Sequence, residues 1–284
     1  MSMTQAQIAE VVERVRARRP LLHHITNYVT VNGVANMTLC IGALPVMAQA
    51  REEVEQMVEA AGALVLNLGT LCPEQVEAMW MAGRRANQLG IPVVLDPVGV
   101  GATRLRTQSA LRLLDELSIA VVRGNAAEIA ALAPADTQAE AQAGASAEVK
   151  IRGVESVGVC ADAAALAGRL ARQRRCVVAI TGAVDVVSDG TRSVRVANGH
   201  PWMGRVTGTG CMATAVIGAC AAVESDFVLA TAAALAVYGL AGERAAERSQ
   251  GPGSFQIQLF DAVAGLTEEA LLQGVRVEEE GPVG

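Results

Sequence analysis

Short apolar runs alternate with stretches of helical spacing along most of the chain. Residues 63–70, ALVLNLGT, are continuously apolar and end in glycine, the pattern of a buried strand. PEQVEAMWMAGRRANQLG (73–90) starts with proline, ends in glycine and spaces its apolar residues for a helix. IPVVLDPVGVGAT (91–103) predicts a second strand running into a Pro/Gly-rich loop. A helix over TQSALRLLDEL (107–117), a third strand in SIAVVRGN (118–125) and a helix opening at AAEIAALA follow. CVVAITGAVDVVSDGTRSVRVANG (176–199) predicts a strand and then a hairpin across Asp189-Gly190. The first twenty residues read as an amphipathic helix of mixed charge.

Apolar strands separated by helices predict a mainly parallel sheet covered on both faces, an α/β fold. In such sheets ligands bind beyond the carboxyl ends of the strands. Asn67, Asp96, Asn125, Glu128, Thr181 and Gly182 fall at those ends. The chain has no internal repeat. The Ala/Gln/Glu-rich segment 134–156 predicts a loop leading into a short helix and is too ordinary for a linker, so residues 1–284 are expected to form a single domain.

Composition narrows the function classes. The 284 residues are 51% hydrophobic, enough for one large α/β domain or two small ones. A net charge of −6 argues against a general nucleic-acid surface, and with 2 Trp, 2 Tyr and 3 Phe there is little to stack bases on. The six cysteines (Cys40, Cys72, Cys160, Cys176, Cys211 and Cys220) include no C-x-x-C pair, which argues against a zinc site. No signal-peptide pattern is visible. Glu224, Ser225 and Asp226 split the most apolar region, 210–242, into segments shorter than the ~18–20 residues of a membrane span. Two buried helices joined by a polar turn, in a soluble cytoplasmic protein, are expected.

The candidate chemistry centres on RVTGTGCMATAVIGACAAV (205–223). Gly208 and Gly210 let the backbone turn sharply and approach a ligand. A helix starting near Thr209 would aim unpaired N–H groups at a phosphate or oxyanion, although the same pattern suits a plain loop-to-helix turn. Cys211 in that first turn should have a lowered pKa and could take a proton from a hydroxyl; a buried packing role is the alternative. Cys220, deep in the apolar run, reads as core. Asn125 and Glu128 have the spacing of a capping box, while Glu128 and Asp96 are also suited to a hydrated magnesium ion. Arg123 and Thr181 could meet phosphates. In residues 21–50 an apolar background carries His24, Asn27, Asn32 and Asn36, the look of a pocket for a small apolar molecule, and the paired histidines fit a strand.

Taken together, LHHITNYVTVN, LPVMAQA, LNLGTL, VLDPVGVGAT, VVRGNAAEIAAL, AITG and VTGTGCM resemble, in order, the hydroxyethylthiazole kinase family of the ribokinase-like superfamily, from about residue 20 to 260. The resemblance implies a three-layer α/β/α fold without a separate lid domain. It implies ATP-dependent, magnesium-assisted phosphorylation of the primary alcohol of 4-methyl-5-(2-hydroxyethyl)thiazole in thiamine biosynthesis or salvage, and a homotrimer with active sites between subunits. It assigns Asn27, Val29, Met47 and Gly208 to the thiazole, Arg123 and Thr181 to the nucleotide, and Asp96 and Glu128 to the magnesium and phosphates. Gly208 and Gly210 match the anion hole, with Cys211 where wider relatives carry aspartate. RGVES (152–156) aligns with a Gly-Val-Asp-Ser stretch of relatives. Rival readings are a hydroxymethylpyrimidine or pyridoxal kinase, a nucleotide-dependent repair dehydratase of the same superfamily, and a nucleotide-binding regulator without turnover.

Overall fold

The computed structural model describes residues 3–133 and 163–280. The expectations for 134–156, for RGVES and for Cys160 lie outside the described residues. The chain opens with α1 (Gln5–Arg18), β1 (Leu21–Ile25), α2 (Val31–Ile41), β2 (Leu44–Val46), α3 (Val54–Glu59) and β3 (Ala63–Asn67). Next come α4 (Pro73–Leu89), β4 (Val93–Asp96), α5 (Arg104–Glu116), β5 (Val121–Asn125) and α6 (Ala126–Leu132). The second described segment holds α7 (Ala163–Arg174), β6 (Val177–Thr181), β7 (Asp185–Ser188), β8 (Ser193–Val196) and a 3₁₀ turn (Pro201–Arg205). It ends with α8 (Thr209–Ala221), α9 (Phe227–Glu247), α10 (Pro252–Gly265), α11 (Glu268–Gly274) and β9 (Val277–Glu280).

One sheet runs in the order β2-β1-β3-β4-β5-β6-β7-β8-β9. Every pair from β2 to β6 is parallel, and the three pairs beyond β6 are antiparallel. Alternation along the strands divides the core. Val65 and Val94 face a layer built by α1, α2 and α8 to α11. Leu64, Leu66, Val93 and Leu95 face a layer built by α3 to α7. Apolar side chains on both faces produce the continuous runs seen in the sequence. The expected hairpin forms, with Asp189 Oδ1 accepting from the N–H groups of Thr191 and Arg192.

Two expectations change. Residues 31–41 are a helix, not an irregular pocket wall. Asn32 and Asn36, four apart, pair with each other at 3.0 Å on its exposed face, outside the lining of the cavities described below. The second apolar segment continues past 242, because Glu243 is anchored by the N–H of Gly199 at 2.8 Å and by Arg276. The resulting 21-residue α9 is long and apolar enough to cross a membrane, yet 78% of its apolar window is buried inside the protein. It is a core helix by packing, with Asp226 accepting from the N–H groups of Val228 and Leu229 at its start.

The paired histidines of β1 are packing groups. His23 Nε2 donates to the Ala48 carbonyl at 2.7 Å. Thr38 spends its hydroxyl proton on the Val34 carbonyl, so it accepts from His24 Nε2 at 3.2 Å. That leaves His24 Nδ1 bare, buried and without a partner for a second proton. Burial, aided by neighbouring His23, pushes the His24 pKa down to about 3. Because the unfolded chain takes up this proton near pH 6.5 and the folded one does not, the contribution is present above pH 6.5 and is lost as pH falls towards 3. His24→Gln should therefore flatten the acid limb: its stability, followed by urea melts at pH 7, 6, 5 and 4, should fall less steeply than wild type by roughly 1 kcal/mol per pH unit. Parallel curves would refute the assignment.

Candidate active site

The parallel register sets Asn67 beside Asp96 and Asn125 beside Thr181 at one edge of the sheet. Asp96 is completely buried. Its Oδ2 accepts from Asn67 Nδ2 at 2.8 Å and from the Thr214 hydroxyl at 2.9 Å, with Arg123 Nη1 3.8 Å away. Its Oδ1 has no partner. Burial raises the Asp96 pKa above the usual carboxylate range, against the pull of Arg123, Thr214 and Asn67. Asn67 Oδ1 in turn accepts from Asn27 Nδ2 and from the Gly69 N–H, each at 2.9 Å. Asn27 Oδ1 accepts from the Thr30 N–H at 3.0 Å. An uninterrupted polar chain thus runs from the start of α2 across β3 and β4 to α8.

Glu128 closes the second corner. It forms the capping box of α6 with Asn125, and it lines the same cavity as Asp96. Oε1 accepts from the Gly99 N–H at 2.8 Å and Oε2 from the Asn125 N–H at 2.9 Å. Burial and then the charge of Asp96 push its pKa up. The loops that carry these groups are held by Arg106. Its Nη1 donates to the carbonyls of Leu68 at 2.6 Å and Val98 at 2.7 Å, and Nη2 reaches Gly69.

The glycine turn has the geometry its sequence implies. Gly208, the cap of α8, has φ +90°, and a Cβ there would stand 2.7 Å from Thr30 Cγ2. A Cβ on Gly210 would stand 2.6 Å from Arg123 Nη1. The first bond of α8 runs from the Met212 N–H to the Gly208 carbonyl at 2.8 Å. The amides of Thr209, Gly210 and Cys211 precede it and have no helical acceptor, as at any helix start. The Thr209 hydroxyl ties this turn back to the Met203 carbonyl at 2.6 Å.

Cys211 corrects the sequence-based expectation. Its Sγ accepts from Asn67 Nδ2 at 3.3 Å and Asn27 Nδ2 at 3.5 Å. Burial and then the charge of Asp96 nevertheless raise its pKa above that of a free thiol. The helix start and its donors do not outweigh burial and a neighbouring carboxylate. The shift favours the neutral thiol, opposite to the lowered pKa expected from the helix start. Cys220 is fully buried core, as expected.

Two cavities meet at this turn. One, of about 440 Å³, is lined by Asn27, Val29, Asp96, Glu128, Gly208 and Cys211 among others. The other, of about 650 Å³, is lined by Thr181, Gly182, Asp185, His200 and Tyr238 among others. Arg123, Asn125, Met203, Gly204, Thr209 and Gly210 border both. Both volumes suit small-molecule ligands. A third cavity, of about 570 Å³ at the opposite ends of β4 to β6, holds none of these groups. Arg123 Nη2 donates to the Thr181 hydroxyl at 2.7 Å, so the two residues expected at a nucleotide do stand together. Met47 does not join them. It is half-buried beyond β2, outside the lining of both cavities. Thr214 and Arg106 are not among the residues the sequence points to, and Asn67 appears there only as a strand-end residue without an assigned role. Asn67 had a signal, a polar residue ending the strand next to that of Asp96; Thr214 sits unmarked in an apolar run.

Asp96 and Glu128 suit a hydrated divalent cation: one buried carboxylate oxygen is unpartnered, and the second carboxylate borders the same space. Among the described residues no cluster of three or more His, Cys, Asp or Glu side chains exists, so most ligands would have to be water and phosphate.

The sequence model of the hydroxyethylthiazole kinase family matches residues 12–269. The chain belongs to this family. A hydroxyethylthiazole kinase from Chloroflexus aurantiacus is 57% identical over 271 residues, covering 95% of this chain and 96% of its own. One from Methanocella arvoryzae is 53% identical over 275 residues, covering 97% and 99%. Among solved structures, the hydroxyethylthiazole kinase of Pyrococcus horikoshii is 42% identical, with a TM-score of 0.85, covering 96% of this chain and 98% of its own. Bacillus subtilis pyridoxal kinase, solved as an ADP complex, is 16% identical with a TM-score of 0.57, covering 79% and 91%, and shares the ribokinase-like fold alone. In this hydroxyethylthiazole kinase family member, the left-handed cap and the thiol should weigh differently. Gly208→Val has no room beside Thr30 and should cut kcat on the order of 10²–10³-fold. Cys211→Ala removes two weak hydrogen bonds and should cost about tenfold or less. Steady-state kinetics, with melting curves to confirm folding, checks both; equal and negligible losses would refute the geometry.

Proposed function

We propose that this chain transfers the terminal phosphoryl group of ATP to the primary alcohol of 4-methyl-5-(2-hydroxyethyl)thiazole, as a step of thiamine synthesis and salvage. The observation that carries this reading is the junction of two cavities at the start of α8, with Arg123 and Gly210 on both. A phosphoryl group moving between ligands in the two spaces must pass the free amides of that turn. Phosphoryl transfer needs positioning and charge stabilisation more than covalent help, and the turn supplies both.

The roles follow from placement. Asn27, Val29 and Gly208 border the smaller cavity and would seat the thiazole alcohol. Thr181 and Arg123 would hold the nucleotide's phosphates from the larger one. Gly208 and Gly210 keep the backbone close enough for its N–H groups to meet the transferring oxygens. Cys211, held by Asn27 and Asn67, orients the acceptor hydroxyl. Asp96 and Glu128 would hold a hydrated magnesium ion, which when bound would offset phosphate charge.

Met47 fits this scheme through a second subunit. Tyr28 and Val29 are 77% and 61% exposed, and β2, just before Met47, is the edge of the sheet. Copies packed on this flank would cover those side chains and bring Met47 towards a neighbour's thiazole. We read the assembly as a homotrimer with sites between subunits, each chain acting as one catalytic unit in the cytoplasm.

The decisive measurement is ATP consumption with and without the thiazole alcohol. Turnover should require the alcohol, exceed that with hydroxymethylpyrimidine or pyridoxal, vanish with a chelator and return with Mg²⁺; ATP use indifferent to the alcohol would overturn the reading. Sedimentation equilibrium should give three times the chain mass. Val29→Asp should shift that mass down and raise KM for the alcohol, whereas a fully active monomer would rule out shared sites.

A further inference from the structure

The larger cavity contains an acidic side chain that none of these roles uses. Asp185 begins β7 and lines the space together with Thr181, Gly182 and Arg123. One of its oxygens, Oδ1, accepts from the Gly182 N–H at 2.9 Å, which pins the carboxylate one residue beyond the Arg123–Thr181 contact. No cation lies within ion-pair distance of it among the described residues, and Oδ2 makes no hydrogen bond. Burial lifts its pKa to about 6, with the Gly182 N–H and the more distant charge of Arg123 pulling the other way, so it is ionised in neutral solution.

A carboxylate here cannot face a phosphate oxygen, because two anions repel in a partly desolvated space. It needs a donor. The donors on an adenine nucleotide are the ribose hydroxyls and the exocyclic amine of the base. Gly182 directly follows Thr181, and the ribose directly follows the phosphates, whereas the amine lies at the far end of the base. We propose that Asp185 is a specificity-determining residue whose free carboxylate oxygen accepts from the ribose hydroxyls of the nucleotide, so that the site selects ribonucleotides over deoxyribonucleotides. The proposal rests on reading the larger cavity as the nucleotide site.

Binding and turnover separate the two claims. Calorimetry with Mg²⁺ would measure ADP, 2′-deoxy-ADP, 3′-deoxy-ADP and IDP, which lacks the amine, on wild type, Asp185→Asn and Asp185→Ala. Asp185→Asn keeps an acceptor for the Gly182 N–H and presents a donor where the free oxygen was; melting curves confirm folding. In wild type at least one deoxy form should bind about tenfold more weakly than ADP, the loss expected for a hydrogen bond to a charged acceptor. In Asp185→Asn that ratio should fall to about twofold or less, chiefly because ADP weakens. An undiminished ratio in both variants, no discrimination by wild type, a ratio that follows IDP instead, or no ADP binding at all would each overturn the proposal. Ribose-selective ADP binding without thiazole-dependent ATP consumption would sustain this inference and defeat the proposed reaction.

Discussion

A carboxylate with no exposure to water sits at the end of β4, and its surroundings are arranged to tolerate it. Removing an ionised group from water is costly unless donors replace the solvent. Asn67 and Thr214 each give Asp96 one hydrogen bond, and Arg123 adds an opposite charge nearby. Those three groups come from β3, α8 and β5, so satisfying one anion fixes three elements relative to one another. Asn67 is then committed, and Asn27 and the Gly69 amide complete it. What remains is one unpartnered oxygen and a raised pKa on a residue that lines the smaller cavity. Strain of this kind is expected where chemistry rather than stability has set the residues.

Burial, and after it the same carboxylate, sets the state of the thiol. Read along the chain, a cysteine in the first turn of a helix should be acidic. In space, Asp96 opposes a second negative charge, and burial opposes any charge. The two asparagine amides that reach Sγ are too weak to reverse this. The shift favours a neutral side chain beside the acceptor space, consistent with chemistry that relies on placement more than on proton abstraction.

Much of the fold was legible because the parallel strands are buried on both faces and therefore read as unbroken apolar runs. The strand-end rule then brought Asp96, Asn125, Glu128 and Thr181 together before any coordinates. The rest has two physical causes: a contact within one helical turn, and side chains whose partners are distant in sequence. Asn32 and Asn36 looked like pocket groups because their mutual contact across one helical turn was not considered. The second apolar segment looked shorter than a membrane span because Glu243 ends the apolar run, while in the fold the helix carries on to Glu247 with Gly199 and Arg276 anchoring Glu243. Thr214 was invisible because a hydroxyl in an alanine-rich helix has no local mark of function. The family resemblance supplied Met47, which lines neither of the two cavities at the glycine turn.

The two cavities share a wall that includes Arg123 and the Thr209–Gly210 turn. A ligand that shifts Arg123 or the Thr209–Gly210 peptide from one side alters the free energy of occupying the other. Thermodynamic linkage makes that influence reciprocal: whichever molecule arrives first, the combined complex has the same free energy. Synergy between the two ligands, or mutual exclusion once products replace them, is therefore a property of this shared wall and needs no moving lid.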